Sequence, residues 1–229
     1  RIVSKNLYMS NSLRSKDVVH ERINSDQRSF SLQEISKLVS ILFPLIVISL
    51  FSTGMLSLIQ TALPLDLVIG GIKRNPISQS STGFIIGIKL GILLMLQWPI
   101  GNWLSNKGIK YGLTIALSCF GIGSILLFLS SLYITGIYLT YLGLIFISIG
   151  LASFLPTAAE AIIQISPKGK QGISMAIYSQ CFGISAFIAP WLAGLMIEIN
   201  GNAALLWLIS GFCYISIIPF SNLIIKIND

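Results

Sequence analysis

From residue 36 onward the chain alternates between long apolar runs and short polar breaks. A helix that crosses a bilayer needs roughly 20 consecutive, mostly apolar residues. Six runs meet that length: Val39 to Ile69, Thr82 to Leu104, Ile109 to Leu129, Ile134 to Ile165, Ile173 to Ile197 and Ala203 to Ile225. The breaks between them carry residues that stop helices. They read Gly70-Gly71-Ile72-Lys73-Arg74-Asn75-Pro76, Ser105-Asn106-Lys107-Gly108, Ser130-Ser131, Pro167-Lys168-Gly169-Lys170 and Asn200-Gly201-Asn202. Links this short leave successive helices antiparallel. The expected fold is all-α: one six-helix transmembrane bundle over residues 36–226, preceded by a polar segment over residues 1–35.

Composition agrees. Mean hydropathy is +0.83, 54% of residues are hydrophobic and 10% are charged, against about 25% charged in ordinary soluble domains. A soluble fold of 229 residues has no room to hide that much apolar surface, so lipid is its solvent. The net charge of +7 would suggest nucleic acid in a soluble protein. Here the basic residues gather at the ends of the runs and read as topology signals, so the expected partner is the bilayer and no nucleic acid. One side of the bundle carries twelve Lys and Arg, namely Arg1, Lys5, Arg14, Lys16, Arg22, Arg28, Lys37, Lys107, Lys110, Lys168, Lys170 and Lys226. The other side carries two, Lys73 and Arg74, and the bias places both termini in the cytoplasm. The expected location is a cytoplasmic (inner) membrane of bacterial type, crossed several times. Residues 1–35 have no apolar core and so make a cytoplasmic tail or linker, with His20 solvated, rather than a signal peptide. The start at Arg1 leads us to expect further sequence upstream. Cys119, Cys181 and Cys213 lie within apolar runs without metal or disulfide spacing and read as packing residues.

The link after the second run reads Gly101-Asn-Trp-Leu-Ser105-Asn106-Lys107-Gly108-Ile109-Lys110. It resembles a degenerate copy of the signature loop of the major facilitator superfamily. Gly101, Gly108 and Lys110 match that pattern, whereas Ser105 stands for its acid and Asn106 for its first basic residue. Lys107 lies within the same loop. Glycine there would permit close helix approach and a tight turn. A second stretch, Pro167-Lys-Gly-Lys-Gln-Gly172 followed by Tyr178-Ser-Gln-Cys-Phe-Gly183 and Ala189-Pro190-Trp-Leu-Ala-Gly194, is similar to the fifth or eleventh helix of that superfamily. Pro190, like Pro44, reads as a kink, and Gly183 and Gly194 as sites of close packing. The resemblance covers residues 36–226. It implies a secondary transporter, and the polar lead-in and degraded loop imply its C-terminal half. The N-terminal half or a second copy would then complete it.

Polar residues at membrane depth carry the candidate site. An ionisable group there costs on the order of 3 kcal/mol or more and needs a reason. Ser153, Thr157, Glu160 and Gln164 fall on one face of the fourth run. Ser49, Thr53, Ser57, Gln60 and Thr61 form a similar stripe on the first, and the two stripes are expected to face one another across an aqueous route. Glu160 would bind solute or carry a proton, or else brace the cytoplasmic gate by pairing with Lys107 or Lys110. Lys89, with Thr82 and Gln97 near one face of the second run, would attract an anionic solute or a partner carboxylate, or else snorkel to the outer headgroups. Asp66, beside Pro64, reads as solvated. The chain shows no phosphate-cradling loop, metal cluster or nucleophile constellation, so neither cofactor nor enzymatic chemistry is expected. The function expected is secondary active or facilitated movement of a small solute, with H+ a candidate coupling ion. The alternative is a non-transporting membrane subunit or scaffold.

Overall fold

The computed structural model describes residues 32–223. The expectations for the tail before residue 32, including His20, and for Lys226 lie outside the described residues. The chain divides into Arg1–Leu38 and Val39–Asp229. The described part of the first unit is helical from Leu32.

All regular structure among the described residues is helical. The helices are α1 (Leu32–Ile69), α2 (Gln79–Ser105), α3 (Ile109–Leu132), α4 (Ile137–Ile165), α5 (Gln171–Asn200), α6 (Ala204–Ile217) and the single turn α7 (Phe220–Leu223). Helices α1 to α5 are long and apolar enough to cross a membrane. The sixth apolar run is not one continuous helix. α6 stops at Ile217, the Ile218 N–H turns back to the Ile215 carbonyl at 3.2 Å, and Pro219 follows. Proline has no N–H to continue the ladder and its ring clashes with the carbonyl one turn back. The other helices run on through Pro44, Pro64, Pro99, Pro156 and Pro190.

The C-terminus of α1 marks the far end of the bundle, and the α2–α3 link marks the near end. α3 packs most extensively on α4 and then on α6, and α2 packs on α4. Glycine makes the first two contacts possible. A Cβ on Gly123 would meet the Gly143 carbonyl at 2.9 Å, and one on Gly143 would meet the Gly123 carbonyl at 3.0 Å. Gly150 receives the Phe120 ring, and Gly121 and Gly211 sit where α3 crosses α6. Small residues let helices approach where lipid supplies no hydrophobic drive between them. The core beside them is aromatic: Phe120 and Tyr214 stand 5.5 Å apart, and the Tyr214 hydroxyl donates to the Phe51 carbonyl of α1 at 3.0 Å.

Candidate transmembrane solute path

The polar stripe of α4 divides into a covered part and an open part. Ser153 and Thr157 are buried; their hydroxyls donate to the carbonyls of Ile149 and Ser153, at 2.9 and 2.7 Å. Thr157 is pressed against Gly112 near the start of α3. Glu160 and Gln164 are exposed, and the Gln164 amide donates to the Glu160 carboxylate at 2.9 Å. The difference follows from length: α3 begins at Ile109, so α4 runs on past it and the last turns of the stripe lie uncovered.

The stripe of α1 turns elsewhere. Ser49, Thr53 and Ser57 are buried, while Gln60 and Thr61 are exposed. The Thr53 and Ser185 hydroxyls share a 2.8 Å hydrogen bond, and Ser185 donates to the Leu50 carbonyl at 2.8 Å. These bonds tie α1 to α5. Among the described residues no hydrogen bond joins the α1 and α4 stripes, contrary to the expectation that they face one another: Thr53 bonds Ser185 of α5, Thr61 bonds its own helix, and Ser153 and Thr157 bond theirs.

The expected brace from Glu160 to Lys107 or Lys110 is also not formed among the described residues. Glu160 holds Gln164, and the Lys107 ammonium lies 5.9 Å from the centroid of the Trp103 ring. Ser105 donates to the Asn102 carbonyl at 2.7 Å, and Lys110 is exposed. Gly108, the residue before α3, has φ +82°, a backbone conformation that glycine adopts readily, whereas a Cβ on Gly101 would meet nothing within 4 Å. Gly183 and Gly194 are likewise open to added atoms, so the expected close packing is made elsewhere, by the glycines of α3, α4 and α6. Their signal was present in the sequence: Gly143 and Gly150 stand seven residues apart, two turns on one face.

Two charged groups sit deeper than expected. Asp66 is fully buried instead of solvated, and its Oδ2 lies 3.0 Å from Arg74 Nη2, itself buried. The Trp207 indole donates to the same oxygen at 3.1 Å. Arg74 Nη1 donates to Ser130 Oγ at 2.7 Å, and Nη2 to the Asp66 carbonyl at 3.0 Å. Close by, Lys73 N–H donates to the Ser131 carbonyl at 2.8 Å, and Gly71 lies so near Ser131 that a Cβ would sit 2.5 Å from its Cα. The network binds α1, the α1–α2 link, α3 and α6 at the far end. An aspartate in the last turn of an apolar run with an arginine eight residues on was the available signal.

Lys89 does not snorkel. It is 2% exposed, on the face of α2 that meets α4, where its carbonyl accepts from the Ser148 hydroxyl at 3.4 Å. Because α2 begins at Gln79, Lys89 lies about 15 Å along the helix, near the middle of a hydrocarbon layer of about 30 Å. Thr82 is buried on the same face and Gln97 is exposed.

Exposure of the polar groups separates the helices into two sets. α1, α2, α4 and α5 expose Gln60, Thr61, Gln97, Glu160, Gln164, Ser179 and Gln180. Beyond its first turn α3 exposes only Ile122, and α6 exposes Leu205, Ile209, Phe212 and Ile215 besides Ser216. Burying an unpaired amide in hydrocarbon costs roughly 2 kcal/mol or more. The exposed polar positions of the first set thus call for water or protein beside them, while those helices also expose apolar residues such as Leu94, Met95, Phe187 and Trp191, and the second set exposes mainly apolar ones.

Searches of curated proteins and of solved structures find no match. The family profile of the Major Facilitator Superfamily matches residues 42–226, which includes α2 to α6 and α1 from Leu42 onward. The chain is an integral, multi-pass membrane protein, and it belongs to the Major Facilitator Superfamily.

Proposed function

We infer that the chain takes part in membrane transport of small solutes, which its family membership supports in general terms. We propose that the chain acts by alternating access, as one of two bundles that rock about a solute path between them. The observation that carries this reading is the segregation of exposed polar side chains to α1, α2, α4 and α5. Those four helices border the path and face the second bundle, an N-terminal half or another copy, while α3 and α6 face lipid. Movement is driven by the solute's own gradient or by an ion gradient, with H+ a candidate through Glu160, and no covalent chemistry is involved. Both termini are cytoplasmic.

Counterflow is the test. Full-length protein in vesicles loaded with unlabelled solute should take up labelled solute faster than empty vesicles do, for at least one member of a panel of sugars, amino acids, organic anions and organic cations. Imposing a proton gradient then separates coupled from facilitated transport. Correctly inserted protein that moves no solute saturably would overturn the reading in favour of a non-transporting subunit.

A further inference from the structure

Lys89 has no acidic partner at its own depth among the described residues. Asp66 is held by Arg74 and Trp207, and it lies about 5 Å from the end of α1 by helical rise. Glu198 is exposed about 3 Å from the end of α5, at the same far end. Glu160 holds Gln164 and lies about 35 Å along α4 from that end, against about 15 Å for Lys89 along α2. The Lys89 ammonium makes no hydrogen bond or ion pair among the described residues, although its side chain is 2% exposed.

Two further observations lie along the same α2–α4 seam. Thr82 is buried seven residues before Lys89, two helical turns away on one face, and its hydroxyl has no partner. Toward the far end a recess of about 280 Å³ is lined by Arg74, Ser81, Ile85 and Tyr141, among others. The Arg74 Nε is buried without a partner, and Ile85 is one turn from Lys89. The Arg74–Asp66 pair is neutral as a unit, so Lys89 leaves the seam with one uncompensated positive charge. A cation without a counter-ion and a spare hydroxyl on one helix face, with a recess lined by Ser81 next to Thr82 and by Ile85 one turn from Lys89, make an incomplete anion site.

We infer that the α2–α4 seam binds a small organic anion, through a carboxylate or phosphate group held by the Lys89 ammonium and the Thr82 hydroxyl and admitted from the Arg74 recess. The inference rests on the transport reading only in taking that anion as the cargo. Binding itself does not depend on it.

The test uses full-length protein and four probes: benzoate, malonate, inorganic phosphate and, as a neutral control, glucose. Tryptophan fluorescence and thermal unfolding report binding. At least one of the three anions should raise the unfolding temperature of the wild-type protein while glucose does not, and which anion does so distinguishes carboxylate from phosphate. Lys89→Met should fold, with an unfolding temperature at or above that of the wild type without ligand, and should bind the same anion about tenfold or more weaker. Lys89→Arg should keep most of the response, and Thr82→Val should weaken it severalfold. Two results would overturn the inference: no anion in the panel binds, or Lys89→Met unfolds at lower temperature without losing an anion response, which would give Lys89 a structural partner. If an anion binds at Lys89 but no solute crosses the vesicle, the transport reading fails and the site stands. If a neutral solute crosses equally well in Lys89→Met and no anion binds, the reverse holds.

Discussion

Asp66 receives two donors on one carboxylate oxygen, Arg74 Nη2 and Trp207 Nε1, while its other oxygen has no partner. Removing one member of such a pair leaves the other buried and uncompensated, at about 3–5 kcal/mol. Asp66→Asn and Arg74→Gln should therefore each lower the unfolding temperature of the micelle-solubilised protein by several degrees. The double variant should lose less than the sum of the two, because neither charge is then left alone. Trp207→Phe keeps the ring but removes the donor, and should cost less than either single charge change, about 1–3 kcal/mol. Equal and additive losses would mean that the two charges are not coupled. At this scale the sequence misled for a definite reason. Asp66 and Arg74 look like link residues, since a helix end beside Pro64 and a loop rich in Gly and Asn normally meet water. What buries them is contact with Ser130 and Trp207, which are distant in sequence and carry no local mark.

At the scale of elements, the apolar runs identify α1 to α5 directly, because an unbroken run and helix stops such as Gly108 and Gly201 are local features. The break between α6 and α7 was equally local, signalled by Pro219, yet the hydropathy on both sides concealed it. Which helix faces which was not legible, because hydroxyls on α1 and α4 have the same spacing whether they meet a neighbour, their own backbone or a cavity. The glycines show the same limit. Gly123→Ala must push against the Gly143 carbonyl and Ile147 and should cost about 1–3 kcal/mol. Gly183→Ala and Gly194→Ala meet open space and should be neutral or stabilising, by up to about 1 kcal/mol of helix propensity. Thermal unfolding of the three variants checks the contrast, and a loss at Gly194 equal to that at Gly123 would contradict the packing described.

At the scale of the whole molecule, hydropathy was sufficient to place the chain in the membrane, and the Gly101–Lys110 loop with the stretch from Pro167 to Gly194 suggested the family that the profile then matched. The polar positions Ser153 and Thr157 were legible as a stripe, but not as its covered part, because coverage depends on where α3 begins. In the proposed reading the solute path is marked by exposed amides. Gln60→Leu, Gln97→Leu and Gln180→Leu should each slow uptake severalfold at unchanged membrane abundance, as expected for losing a hydrogen bond of about 1 kcal/mol. Ile122→Leu, on the lipid side of α3, should leave uptake unchanged. Equal effects from both sets would remove the distinction between path and lipid faces.

The Asp66–Arg74 pair also has a consequence for how the chain is made. Its two members are eight residues apart, so both are delivered within the single α1–α2 hairpin. The arginine thus has its counter-ion before α3 exists. Ser130 is added next, and Trp207, furthest along the chain, comes last. A nascent chain halted before α6 would hold its carboxylate one donor short, so the Asp66 oxygen is among the atoms that record the arrival of α6.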